Sequence, residues 1–150
     1  MTVLIWVVIF VLTFCVMEFM AWFTHKYVMH GFLWYLHSDH HRKDHDSWFE
    51  RNDFFFIFYA VVSMTLLFLW HYDIFWMGLP IGLGIFTYGF AYFMVHDVFI
   101  HQRFKLFRNA DNWYARGIRR AHKMHHKHLG KEDGECFGML FVPFKYFRNI

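Results

Sequence analysis

Cysteine and charge are both scarce in this chain of 150 residues. Its two cysteines, Cys15 and Cys136, stand far apart and no C-x-x-C occurs, which excludes a zinc knuckle or an iron–sulfur cluster built on the chain's own thiols. Cys15 lies in an apolar run and reads as packing, while Cys136, among polar residues, reads as a free thiol. Charged residues make up only 18% of the sequence, and no Lys or Arg precedes Lys26. E-x-x-H, the helical motif of soluble di-iron bundles, is missing, so a metal site here has to be built from histidine. Nor is there a nucleotide loop, because Gly82-Leu-Gly84 sits inside an apolar run with no strand before it. With no flavin or nicotinamide site and no nucleic-acid signature, any redox chemistry has to draw electrons from a partner.

Apolar residues are abundant instead: 57% of the chain is hydrophobic and 25% aromatic, with 22 Phe. A domain of this size cannot hide that much apolar surface within itself, whereas a bilayer can take the excess. Three stretches have the roughly 20 residues that a helix needs to cross about 30 Å of hydrocarbon: about 2–24, 54–70 and 74–95. No basic segment precedes the first and no small-residue cleavage site follows it, so it reads as a retained span. His71-Tyr72-Asp73 alone separates the second from the third, which predicts a tight antiparallel hairpin. Gly78, Pro80, Gly82, Gly84 and Gly89 predict close packing, a kink or a break in the third.

The 15 Lys and Arg fall in two places. Lys26, Arg42, Lys43 and Arg51 lie between the first two spans, and all the others follow the third. The positive-inside rule puts both segments, 25–53 and 96–150, in the cytoplasm, and three crossings give the same answer by parity. The expected fold is therefore all-α: one multi-pass transmembrane domain over 1–150, with a cytoplasm-facing site on helix extensions.

That site is written in histidine, of which there are 13. His25 and His30 are followed by His37, His40 and His41; His96 and His101 are followed by His122, His125 and His126. H-x-x-x-x-H then H-x-x-H-H thus occurs twice. On a helix His37, His40 and His41 are i, i+3 and i+4 and share a face, as do His122, His125 and His126. His25/His30 and His96/His101, at i, i+5, need a local helix distortion or two different metals. Ten imidazoles suit two metals with about five ligands each and a vacant position, which fits iron and dioxygen. Structural zinc sites are closed, tetrahedral and usually Cys-rich. Metal transport or storage is the non-redox alternative. His45 and His128 read as supporting or surface residues, and His71 lies at the opposite end.

Metal-bound histidines usually donate their second N–H to an acceptor. Asp39, Asp44 and Asp97 are candidates by proximity, or else solvated charges. Glu18 lies inside the first span, where an ionised group costs about 3 kcal/mol or more, two turns before His25. It is expected to support the metal site, directly or through water. Arg116, Arg119, Arg120 and Lys123 suit an acidic electron carrier or anionic headgroups. Aromatic residues of Phe32–Tyr35 and Phe86–Phe93 suit either a substrate path or a lipid-facing surface.

Met17-Glu18, the stretch Trp22 to Trp34, His37 to His41, His96 to Arg103 and Ala121 to His128 resemble the membrane fatty-acid hydroxylase superfamily, and within it the bacterial-type beta-carotene hydroxylase branch. The resemblance covers most of the chain. It implies a monooxygenase with two iron ions, dioxygen as co-substrate and a ferredoxin-type electron donor, with the ten histidines as ligands. It also implies hydroxylation at carbon 3 of the beta-ionone rings, giving zeaxanthin by way of cryptoxanthin. A related fatty-acid or sterol hydroxylase or desaturase is the alternative.

Overall fold

The computed structural model describes residues 2–42 and 45–148; the candidate Asp44 lies outside them. Helices account for all the regular structure among the described residues. α1 (Thr2–Phe23) runs directly into a π-helical segment, Thr24–Phe32. A short α2 (Trp34–His41) follows, then α3 (Asp53–His71) and α4 (Gly78–Phe93). α4 continues into a second π-helical segment, Met94–Ile100. α5 (Trp113–His125) and a 3-10 turn at Phe144–Phe147 complete the chain.

Among the described residues, three helical stretches are long and apolar enough to cross a membrane: Val3–Phe32, Asp53–His71 and Gly78–Ile100. Their outer faces carry Val7, Val11 and Phe19, then Ile57, Val61 and Phe68, then Phe86 and Phe90, all exposed. Cys15 also lies exposed on α1 rather than packed inside. The first stretch runs past the expected end at 24 because the chain stays helical through its widened π turns. The third begins at Gly78 rather than near 74. Asp73 takes a left-handed conformation (φ 56°), and the N–H groups of Ile74 and Phe75 reach back to the Leu69 carbonyl at 2.9 and 3.1 Å. These bonds close the turn and delay the helix. Pro80 stands in the first turn of α4, where its missing N–H costs nothing, and the glycines do not interrupt it.

α4 is the central helix, packed against both α3 and α1. Ser63 of α3 donates to the Gly82 carbonyl at 2.8 Å. Gly84 lets α1 approach, since a Cβ there would sit 2.7 Å from Cβ of Thr13. Tyr88, one turn on, donates to Glu18 at 2.7 Å. Matching positions rise together along α1 and α4, so these two run in the same direction and α3 runs opposite. Both π segments therefore emerge at one end, with the 72–77 turn at the other. Met17, Ile85 and Tyr88 form the core between the helices.

Candidate metal centre

His25 and His30 lie on the first π-helical segment; His96 lies on the second and His101 caps its end. Five residues of ideal α-helix turn the chain about 140° past a full turn, which would aim the partners apart. A π turn closes its hydrogen bond over i→i+5 instead. Leu33 N–H donates to the Val28 carbonyl at 3.0 Å and His101 N–H to that of His96 at 2.9 Å. The ring centroids of His25 and His30 then stand 5.4 Å apart, and those of His96 and His101 4.5 Å apart. Of the two accommodations the i, i+5 spacing left open, the fold uses helix distortion. At Gly31 (φ −104°, ψ −125°) the chain leaves helical geometry, which turns α2 back over the helix ends.

The histidines gather into two adjoining sets. Ligand atoms of His25, His30, His37, His41 and His125 lie within 4.8 Å of one another, and so do those of His40, His101, His122 and His126. His96 joins the second set through an Nε2–Nε2 approach of 3.0 Å to His40. Each H-x-x-H-H motif is divided between the sets. The i and i+4 members, His37/His41 and His122/His126, stay with their own half, while the i+3 members, His40 and His125, cross to the other. The rings of His41 and His126 stack at 4.6 Å where the sets meet.

Hydrogen bonds at Nδ1 fix the tautomers. Nδ1–H of His25 donates to the carbonyl of Phe137 (3.1 Å), His30 to Lys131 (3.1 Å), His41 to His128 (3.0 Å) and His125 to Glu135 (3.0 Å). His37 donates to Oδ1 of Asn52 at 2.7 Å, His40 to Glu50 at 2.9 Å and His96 to Asp97 at 3.1 Å. These partners only accept, so each of these histidines carries its proton on Nδ1 and turns a bare Nε2 lone pair inward. Yet His37 Nε2 lies 3.2 Å from Nε2 of both His25 and His41. Lone pairs facing each other this closely repel unless a cation lies between them. Neighbouring ligands on an octahedral ion with bonds of about 2.1 Å are separated by about 3.0 Å, which is the spacing found. The buried Nε2 atoms of His30, His125 and His126 have no hydrogen-bond partner among the described residues. The donor set therefore fits a pair of metal ions. Burial, reinforced by the neighbouring imidazoles, pushes His40, His101 and His122 well below the usual histidine range, His41 to about 4 and His126 to about 3. All are neutral at pH 7, as metal ligation needs.

A polar frame surrounds the second set. Arg103 bridges Glu50 (3.0 Å), Asp53 (2.8 Å) and Asp97 (3.2 Å), holding the acceptors of His40 and His96 in place. Asp39 is buried but accepts from backbone N–H and Nε of Arg51 and faces His45 at 3.5 Å, so it fastens the α2–α3 loop. Glu18 touches no histidine. It accepts from Tyr88 and from three successive N–H groups, those of Met139 (3.1 Å), Leu140 (3.1 Å) and Phe141 (3.0 Å). It thereby anchors the strip of chain whose carbonyls at 131, 135 and 137 orient three histidines. Cys136 within that strip is left-handed (φ 62°), a conformation that costs a residue with a side chain about 1 kcal/mol and sets the two flanking carbonyls. Burial pushes its thiol up to about 12. His71 is exposed at the far end.

Sequence reasoning missed Glu50 and Asn52, although both stand in the polar run that opens the second apolar helix. It also missed the main-chain acceptors at 128, 131, 135 and 137. Of the basic residues on α5, Arg119 turns inward to the carbonyls of Phe107, Arg108 and Ala110, and Arg120 holds that of Arg148. Lys123 is exposed, and Arg116 is exposed beside Asp111 at 3.7 Å.

A family model described as fatty acid hydroxylase matches residues 10–147. The chain is 39% identical to a beta-carotene hydroxylase of Pantoea ananas, over 85% of this chain and 71% of the relative. It is 35% identical to a beta-carotene hydroxylase of Paracoccus sp. (strain N81106 / MBIC 01143), over 90% and 83%. It is also 38% identical to a chloroplastic beta-carotene 3-hydroxylase of Gentiana lutea, over 85% of this chain and 40% of that longer protein. No solved structure matches.

Proposed function

The chain belongs to the fatty acid hydroxylase family, and from that membership we propose that it is a membrane-embedded, two-iron monooxygenase that hydroxylates beta-carotene at carbon 3 of its beta-ionone rings. The observation that carries the reading is the pair of adjoining imidazole sets with bare, converging nitrogens in a chain similar to named beta-carotene hydroxylases along most of its length. His25, His30, His37, His41 and His125 hold one ion, and His40, His96, His101, His122 and His126 the other. When bound, such an iron pair supplies dioxygen activation and the oxidation of an unactivated C–H bond.

The reaction balances as one C–H bond and one dioxygen, with two electrons and two protons, giving one alcohol and one water. The residues of the chain hold the centre rigid and dry. Asp97 and Glu50 keep His96 and His40 in one tautomer, with Arg103 fixing both carboxylates. The strip from His128 to Phe137 does the same for the first set, and Glu18 acts as a positioning residue through that strip. Asp39 positions the α2–α3 loop.

In this proposal the site faces the cytoplasm and the protein crosses the bilayer three times. The placement of all 15 Lys and Arg in the two segments at the histidine end supports it. Electrons come from a ferredoxin-type protein. The exposed Arg116, Arg120 and Lys123 support an acidic carrier docking on the outer side of α5, whose inner side bears His122 and His125.

Expression in cells that accumulate beta-carotene, followed by pigment chromatography, tests the function. Mono- and then dihydroxylated carotenoid is the expected outcome. No hydroxylated pigment, with iron loaded and a competent reductant present, refutes it.

A further inference from the structure

α1 and α3 both pack on α4 and make little contact with each other, so a cleft remains between them at the histidine end. Its upper wall is His96, flanked by Asn52 and Asp97, the partners of His37 and His96; its floor is Met17 and Tyr88. From Gly89 to His96 the cleft follows seven residues of helix, about 10 Å. That depth takes one six-membered ring and the first bonds of a chain attached to it.

Of the four hydroxyls in the walls, those of Thr24, Tyr59, Tyr88 and Tyr92, the first three are spent within the protein. The Tyr59 and Thr24 hydroxyls bond each other at 2.7 Å, and that of Tyr88 is taken by Glu18. Phe56 lines the cleft yet is 47% exposed, so the cleft reaches the apolar outer surface of the helices at this point. Phe86 and Phe90 of the neighbouring aromatic stretch face outward; only Tyr88 and Tyr92 of its rings turn into the cleft. One wall position has no packing reason for its residue. Gly84 is required by the approach of α1, whereas a Cβ at Gly89 would meet no atom within 4 Å.

We propose that this cleft is the subsite for the methyl-bearing end ring of the substrate, entered sideways from the apolar layer past Phe56, and that Gly89 sets the width it accepts. The assignment rests on the carotenoid reading above. A ring with paired methyl groups is far broader than a straight acyl chain, and the missing side chain at Gly89 supplies that breadth.

The test uses iron-loaded protein in lipid vesicles containing beta-carotene, with Gly89→Ala, Gly89→Leu and, from the opposite wall, Ala21→Leu. Pigment bound per chain is read without oxygen, and turnover with it. Gly89→Ala should lower kcat/KM roughly 3-fold and Gly89→Leu at least about 10-fold, with bound pigment falling in parallel and iron per chain unchanged. Ala21→Leu should act in the same direction, so a folding failure of one variant leaves the other to decide. Undiminished binding and turnover in a folded, iron-loaded Gly89→Leu or Ala21→Leu overturns the ring subsite. Absence of any hydroxylated carotenoid from the unaltered protein overturns the function itself, and the subsite with it.

Discussion

Four histidines of one set, His25, His30, His41 and His125, are oriented by main-chain carbonyls, whereas in the other set His40 and His96 are oriented by carboxylates. The two supports differ chemically. A carboxylate opposite Nδ1–H draws the proton and makes the imidazole a stronger donor to a metal, and Arg103 holds both carboxylates in place. A carbonyl does so weakly, but it holds a ring wherever the loop holds the carbonyl. One set is therefore tuned by charge, and the other by the conformation of a single strip of chain, itself tied down by Glu18. Two ions bound as proposed would therefore occupy unequal fields, the carboxylate-supported position being the more electron-rich.

The largest expected effect abolishes the comparison. His40→Ala and His125→Ala each remove a histidine that crosses between halves, so each should reduce turnover by more than about 100-fold. Metal analysis should show fewer than two irons per chain; a variant with two irons and full activity would disprove that histidine's role as a ligand. Next, Glu50→Gln keeps the shape and removes the charge. Second-layer changes of this kind cost about 10- to 100-fold in metal affinity. Competition with a chelator should show one of the two irons leaving early, and loss of both at equal rates would count against the asymmetry.

A smaller effect probes the other set. Glu18→Gln weakens the anchor on Met139, Leu140 and Phe141, so affinity at the carbonyl-supported position should drop, by about 10-fold at most. The Cys136 thiol, held protonated by burial, should be alkylated faster in this variant; an unchanged alkylation rate would mean that Glu18 does not hold the strip. The smallest effect touches both sets alike. In metal-free protein His41 and His126 titrate near 4 and 3, against about 6.5 unfolded. The unfolded chain then binds more protons, so stability is full above about pH 6.5 and is lost as pH falls toward 4. The thermal midpoint of chelator-treated protein should be lower at pH 5 than at pH 7.5, and a flat profile would contradict the neutral, buried state of these rings.

What was legible in the sequence follows the same division. Histidine spacing singled out the residues that gather, because a side chain announces itself. Proximity in sequence makes both Asp97 and Asp39 candidate supports or else solvated charges; Asp97 does face its neighbouring histidine, whereas Asp39 fastens a loop. Glu18 betrayed itself by being charged within an apolar run. The carbonyls of Lys131, Glu135 and Phe137 were invisible, because every residue has one and only the fold aims it. The assignment of His40 and His125 to opposite sets was equally hidden, since i, i+3 and i+4 spacing shows a shared face and not what stands on either side of it. The start of α4 was misplaced by about four residues for a related reason: apolar Ile74 and Phe75 look helical, but their N–H groups are spent on closing the turn at Leu69.

The exchange of His40 and His125 has a consequence for how the protein comes to exist. Each half of the chain supplies four of the five imidazoles of one set, and the other half carries the fifth. On the proposed assignment, the first half emerges during synthesis with four of the five imidazoles of its set, and the fifth arrives only when residue 125 has been made and brought across. An ion held by all five imidazoles of a set would staple the two halves of the chain together and so help to shape the neighbouring set. The repeat that looks like duplication in the sequence is, in space, an interlock.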